Sequence, residues 1–307
     1  MAIIFFGTPP FAVPSLQALI DEKEDISLVV TQPDRAKGRG HIVSPPPVKE
    51  LASAHNIPVI QPVKIKDENL FKTLKSYNPE FIVIVAYGRI LPDEILSIPT
   101  YYCINVHASL LPKYRGAAPI QWALINGEKI TGVTTMVVTR ELDSGDILLQ
   151  AELEINDDDN SETLFNKLSI LGAETLIRTL KGIREKTIKP TPQHGDVTYA
   201  PPLKKTDGRI NWNKSSQELF NFIRGMYPWP SAYCFFGNER IKIIKAKALK
   251  GDGYPGRVEK ASQGILIVGT GNGLLQIEVL QPDGKPQMSA SAFLAGRKIK
   301  EKDDKFY

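Results

Sequence analysis

Phe81-Ile82-Val83-Ile84-Val85-Ala86 is a continuous apolar run, closed by Tyr87-Gly88-Arg89-Ile90-Leu91-Pro92. A strand with one wet face alternates apolar and polar residues. A run with no polar residue reads as a strand covered on both faces, as in a parallel sheet. The flanking sequence follows the same pattern. Ala2–Phe6 and Ile26–Thr31 are further apolar runs, with a helix expected between them over about Pro14–Asp21. Helices are expected again over about Pro46–His55 and Asp67–Ser76, with Val59-Ile60 as a short strand. This alternation predicts an α/β fold with a Rossmann-like, doubly wound, mostly parallel sheet. Ligands of such sheets lie outside the carboxyl ends of the strands. The turn after Phe81–Ala86 therefore borders a candidate crevice. The first turn, FGTPPFA, lacks the glycine pattern that cradles a pyrophosphate, which disfavours dinucleotide binding.

The next apolar run, Tyr101–Val106, ends with Asn105 and His107 two positions apart. On a strand, period-two alternation puts both side chains on one face. A basic, proline-marked loop follows, Ser109-Leu110-Leu111-Pro112-Lys113-Tyr114-Arg115-Gly116. A helix over Ala118–Asn126 and a β-rich run over Thr131–Thr139 lead to Leu142-Asp143-Ser144-Gly145-Asp146, an acid beside a glycine turn. An imidazole, a carboxamide and a carboxylate suit acyl transfer. The imidazole moves or stabilises a proton near neutral pH. The carboxamide N–H points at a developing oxyanion, and the carboxylate orients the imidazole. No serine or cysteine pairs with them, so the attacking atom belongs to a substrate. Taken singly, each has an ordinary reading: His107 as a hydrogen-bonded residue after a strand, Asn105 as a strand-end partner, Asp143 as a turn former.

The chain's 307 residues correspond to about two domains. The two cysteines, Cys103 and Cys234, lie far apart, so no disulfide is expected. No HExxH, histidine cluster or acidic ligand loop is present, and the expected metal is none. The N-terminus has no basic region before its apolar run, and no run approaches the ~20 residues of a membrane span. The expectation is a cytoplasmic monomer with no membrane partner. From residue 205 onward, 17 Lys and Arg stand against 10 Asp and Glu, a surplus of +7 that leaves −3 for the residues before. A basic final third suits a large anionic partner, or lysines that solvate a small barrel.

Residues 32–47 are too long and irregular for an ordinary strand-to-helix connection of about 2–6 residues. They are glycine-rich and carry Arg35, Lys37, Arg39 and His41, as either a solvated loop or a basic loop that settles on phosphates. A long helix is expected from Ser161 towards Glu185, with Leu164, Leu168, Leu171 and Leu176 as packing residues. Residues 189–207 are rich in Pro, Gly and polar side chains and read as a linker. A helix over Asn213–Arg224 precedes short apolar runs at Ala232–Phe236, Ile241–Leu249, Gly264–Val268 and Leu274–Leu280, the spacing of a small barrel. Met288–Gly296 reads as a closing helix before a charged tail.

Asn105-Val106-His107-Ala108-Ser109-Leu110-Leu111-Pro112, with Tyr114-Arg115-Gly116 and Leu142-Asp143-Ser144-Gly145-Asp146, resembles the signature of the folate-dependent formyltransferases. Thr31-Gln32-Pro33-Asp34-Arg35, the Gly-Arg-Gly that follows, and the Ser-Pro-x-x-Val-Lys helix start are similar to the branch that formylates methionyl-tRNA. The match continues through Val197-Thr198-Tyr199-Ala200 and Asp207-Gly208-Arg209-Ile210-Asn211-Trp212. The resemblance implies Asn105, His107 and Asp143 as catalytic residues. It implies folate contacts at Ser109, Leu110, Leu111, Pro112, Tyr87, Gly88 and Ile90, with 10-formyltetrahydrofolate as a cosubstrate and no tightly bound cofactor. It implies tRNA contacts at Arg35, Lys37 and Arg39, and initiator Met-tRNA as the partner. It also implies a catalytic domain over 1–188, a linker over 189–207 and an OB-like tRNA-binding barrel over 208–307. Ala108 and Glu141 depart from the family's usual glycines. The rival expectations are a formyltransferase for a nucleotide sugar or other small amine, and a non-catalytic RNA-binding module.

Overall fold

The computed structural model describes residues 2–37 and 42–307. Two compact units emerge. One comprises Met1–Gly116, Ile130–Glu154 and Phe165–Tyr199; the other comprises Ala117–Lys129, Ile155–Leu164 and Ala200–Tyr307.

The first unit opens with β1 (Ile3–Gly7), α1 (Val13–Asp21) and β2 (Ile26–Val30), followed by the small strands β3 (Arg35–Lys37) and β4 (Ile42–Ser44). Then come α2 (Pro47–Ala54), β5 (Val59–Ile60), α3 (Glu68–Ser76), β6 (Phe81–Val85), α4 (Asp93–Leu96) and β7 (Tyr102–His107). The helix α5 (Pro119–Ile125) belongs to the second unit. β8 (Ile130–Val137) and β9 (Ile147–Glu154) return to the first unit, and α6 (Ser161–Arg184) follows. The sheet order is β5-β2-β1-β6-β7-β8-β9. Its first five members are parallel, while β8 and β9 are added antiparallel. The mostly parallel sheet expected from the apolar runs is therefore present. Every residue of β1 and β6 is buried, as their uniform composition requires. Under one face, Ile4, Phe6, Leu28, Val30, Leu74, Ile82 and Cys103 form a continuous core.

Local chemistry sets the boundaries. Asp67 caps α3, its carboxylate accepting from the backbone N–H of Asn69 and Leu70. Of the four leucines expected to pack on α6, Leu164, Leu168 and Leu176 are fully buried and Leu171 is half-buried. The irregular stretch expected over 32–47 contains two short paired strands. β3 and β4 pair Arg35 with Ser44, Ala36 with Val43 and Lys37 with Ile42. The reason lies at its base. Lys49 Nζ donates to Asp34 Oδ2 (2.8 Å) and Gln61 Oε1 (2.7 Å), and Gln61 Nε2 donates to the Gln32 carbonyl and Asp34 Oδ1. The Lys49 and Gln61 hydrogen bonds hold the Asp34 carboxyl below its ordinary value.

The second unit is built on α7 (Ser216–Met226), β10 (Ala232–Phe236), β11 (Glu239–Leu249), β12 (Val258–Ser262), β13 (Ile265–Gly269), β14 (Leu274–Pro282), β15 (Met288–Ser289) and α8 (Ala290–Ala295). The strands form one antiparallel sheet in the order β10-β11-β14-β13-β12, with β15 on β14. Sequence reading missed β12, whose Glu259 and Lys260 interrupt the apolar pattern, and began α7 three residues early. Ser215 and Glu218 form the capping box that starts it. The charged tail is also structural. Phe306 is fully buried, bridges Phe236 at the end of β10 and hydrogen-bonds the Gly256 carbonyl ahead of β12, while Val258 N donates to the Asp304 carbonyl. These residues join the two edges of the sheet.

Candidate active site

β7 delivers His107 at its carboxyl end. The ring is buried, 6% exposed, with Nε2 2.9 Å from the Tyr114 carbonyl. A carbonyl only accepts, so Nε2 carries a proton and donates it. Nδ1 stands 3.6 Å from Asp143 Oδ2, too far for a hydrogen bond. Nδ1 is therefore the ring nitrogen left to meet a reacting atom. Asn105 lies two residues earlier on the same face of β7, paired with Ile84 of β6 and Met136 of β8. It is half-buried, and its carboxamide makes no hydrogen bond among the described residues.

Asp143 arrives from the connection between β8 and β9. Because β8 runs beside β7, this connection folds back over the strand that carries His107. Asp143 adopts φ +48°, a left-handed conformation that aspartate tolerates better than most residues. Its Oδ2 accepts from Gly116 N at 2.8 Å, so one oxygen faces both that N–H and the imidazole. Gly145 has no alternative in this turn: a Cβ there would stand 1.8 Å from the Val137 carbonyl oxygen. The two departures from the usual glycines are accommodated, because neither Ala108 nor Glu141 has a positive φ.

The loop after β7 is held by groups that sequence reading did not single out. Thr134 on β8 donates to the Ser109 carbonyl (2.7 Å) and accepts from Leu111 N (3.1 Å) and Gln150 Nε2 (2.9 Å). Gln150 also donates to the Leu111 carbonyl at 2.9 Å. The Ser109 hydroxyl donates to the Lys113 carbonyl, and Leu111 is buried. Leu110 and Pro112 are half-buried. From further along the chain, Thr198 Oγ1 accepts from Tyr114 N, and Gln193 bonds both Arg115 and the Asp143 turn. The available signal was polarity at buried strand positions, since Thr134 and Thr135 are both fully buried.

The remaining expected residues occupy three settings. The Tyr87 ring lies in the core, edge-on to Phe6 at 5.1 Å, and burial pushes its hydroxyl up to about 12. What Tyr87 offers outward is its carbonyl, which accepts from Gln32 Nε2 at 2.8 Å. Gly88 turns the chain at φ +79°, and Ile90 is 77% exposed. Arg35 is exposed and donates to Gln32 Oε1 at 2.7 Å; Lys37 ends β3; Arg39 and His41 lie outside the described residues. A cavity of about 490 Å³ borders the Asp143 turn, lined by Tyr102, Thr139, Glu141, Ser144 and Asp146, but Asn105 and His107 do not line it. Among the described residues no group of His, Cys, Asp and Glu is arranged to hold a metal ion, and no helix is long and apolar enough to cross a membrane.

Comparisons with known proteins agree over both units. The family model described as formyl transferase matches residues 1–180, and that described as formyl transferase, C-terminal domain, matches residues 202–298. The chain is 60% identical over 304 residues to a methionyl-tRNA formyltransferase of Thermodesulfovibrio yellowstonii, covering 99% of this chain and 98% of that one. It is 49% identical to the enzyme of the same name from Pelotomaculum thermopropionicum, covering 98% and 97%. Among solved structures, WlaRD, a sugar 3N-formyl transferase, superposes with a TM-score of 0.69 at 20% identity, covering 93% of this chain and 99% of that one. HypX from Aquifex aeolicus, in complex with tetrahydrofolic acid, gives 0.64 at 18% identity, covering all of this chain and half of the other. At these identities the two structures bear on the fold alone.

Proposed function

The chain belongs to the formyl transferase family, and on that premise we propose that it passes the formyl group of 10-formyltetrahydrofolate to the α-amino group of methionine on initiator tRNA. The substrate assignment draws on full-length identity to methionyl-tRNA formyltransferases. The observation that carries the chemistry is the approach of His107 Nδ1 to Asp143 Oδ2 at 3.6 Å, with Nε2 already committed to the Tyr114 carbonyl.

The amine attacks the formyl carbon. A carbon–nitrogen bond forms, and the formyl oxygen becomes an oxyanion on a tetrahedral carbon. Collapse of that species breaks the bond to the folate nitrogen. One proton leaves the amine and one is delivered to the folate. The Asn105 N–H donates to the oxyanion, where a preorganised donor acts most strongly. His107 presents Nδ1 to the same oxygen, and Asp143 stabilises a proton held there. The turn at Ala86–Leu91 and the loop Ser109–Pro112 hold the folate, chiefly through backbone groups. Folate acts as a cosubstrate, consumed in each turnover. Arg35, Lys37 and Arg39 meet RNA phosphates, and residues 208–307 supply the remaining basic surface.

A formylation assay comparing charged initiator Met-tRNA, elongator Met-tRNA and an amino-sugar nucleotide tests the reading. Formylation of initiator Met-tRNA is expected to dominate. Preference for the small amine would replace the substrate assignment, and absence of transfer with intact RNA binding would replace catalysis by a binding role.

A further inference from the structure

Gln193 lies in residues 189–207, the stretch whose composition reads as a connector, yet it is the one side chain from Thr191 to Tyr199 that is not exposed. Its carboxamide is fully engaged. Nε2 donates to the Asp143 carbonyl and to the Gly145 carbonyl, each at 2.8 Å. Oε1 accepts from Arg115 Nη2 at 2.7 Å and Nε at 3.2 Å. Arg115 precedes Gly116, whose N–H donates to Asp143 Oδ2. One side chain therefore clamps the turn that carries Asp143 to the loop that carries its hydrogen-bond donor. The clamp also holds the turn in which Asp143 takes its left-handed backbone, φ +48°. The bridges of Arg115 with Tyr199 and of Ile147 with Thr191 fix the segment on both sides of Gln193.

We propose that Gln193 is a positioning residue for formyl transfer: it sets the distance between Asp143 and His107 without touching either substrate. The proposal rests on the reading of Asp143 given above. Position matters here because a displacement near 1 Å at a reacting group costs about 100-fold in rate. Gln193→Glu is the sharper variant. Its carboxylate keeps the shape and the Arg115 contact but has no N–H to offer the two carbonyls.

Turnover and KM for both substrates are measured in the full-length wild type, Gln193→Glu, Gln193→Ala, Asp143→Asn and the double variant Gln193→Glu/Asp143→Asn. Gln193→Glu is expected to lose roughly 10- to 100-fold in kcat, with both KM values unchanged. In the Asp143→Asn background the same change should cost nothing further, because the group it positions is gone. A wild-type kcat for Gln193→Glu overturns the proposal. So do losses that multiply in the double variant, which mark a general structural role. If Gln193→Ala does not fold, Gln193→Glu and the double variant decide alone. A wild-type kcat for Asp143→Asn overturns the assignment of Asp143 itself, an outcome distinct from failure at Gln193.

Discussion

In the proposed mechanism Asp143 and Asn105 make different contributions, so their variants should fail differently. Asp143→Asn keeps the side-chain shape but removes the charge beside His107 Nδ1. Turnover should fall by about 100-fold or more while affinity for tRNA is unchanged, as read from kcat and a direct RNA-binding titration. On the proposed mechanism Asn105→Ala removes one oxyanion donor and should cost about 10²- to 10³-fold in kcat. Thr134 is a third type of residue: it ties the Ser109 and Leu111 backbone to Gln150 in a buried setting. Thr134→Val leaves the buried Leu111 N–H without its acceptor and should destabilise the protein by about 1–3 kcal/mol, measured by urea unfolding. Asn105, His107 and Asp143 stood out as candidates because each is a reactive polar group in a short, specific string, and the structure brings His107 and Asp143 together. Thr134, Gln150 and Gln193 did not stand out, because their importance lies in which backbone atoms they reach, and those atoms come from distant parts of the chain.

At the scale of elements, apolar runs predicted the strands of the parallel sheet to within a residue or two. The pattern works there because a strand covered on both faces has no reason to carry polar side chains. It failed at β12 and at the tail, where charged residues alternate with buried ones. Phe306 contacts the Phe236 ring at 4.9 Å and the Trp212 ring at 6.1 Å while its backbone joins the two sheet edges. Phe306→Ala should cost about 3–5 kcal/mol, seen as an earlier urea transition of the antiparallel unit. Glu259 on β12 tests the same seam through pH. Burial alone would raise its carboxyl, but hydrogen bonds from Arg257, Lys302 and the Tyr254 N–H outweigh burial and bring it to about 2. Because the folded value lies below the ordinary 4.5, its contribution is present above about pH 4.5 and is lost as pH falls towards 2. Glu259→Gln should therefore lower stability at neutral pH and flatten the loss between pH 4.5 and 2 in an acid-unfolding series.

For the whole molecule, the charge imbalance matters more than the net charge. If the surplus of +7 beyond residue 204, Arg35 and Arg39 meet RNA as proposed, the association weakens as salt rises. Arg35→Ala and Arg39→Ala should each reduce the salt slope of Met-tRNA binding by about one; an unchanged slope would remove the 32–47 segment from the RNA contact. The order of apolar runs by itself determined a mostly parallel α/β sheet, because burial on two faces leaves a compositional mark that survives without coordinates, and the glycine-punctuated short runs after it marked a small domain of short strands. The strings around Asn105, His107 and Asp143 carried the resemblance to the family, which the family models and relatives bear out. Only the tertiary structure decided that Asp143 Oδ2 faces both Gly116 N and His107 Nδ1, that Pro119–Ile125 packs with the C-terminal unit, and that Gln193 hydrogen-bonds the Asp143 turn. Those outcomes depend on ångström-scale meetings of groups distant in sequence, and no local pattern of residues encodes such a distance.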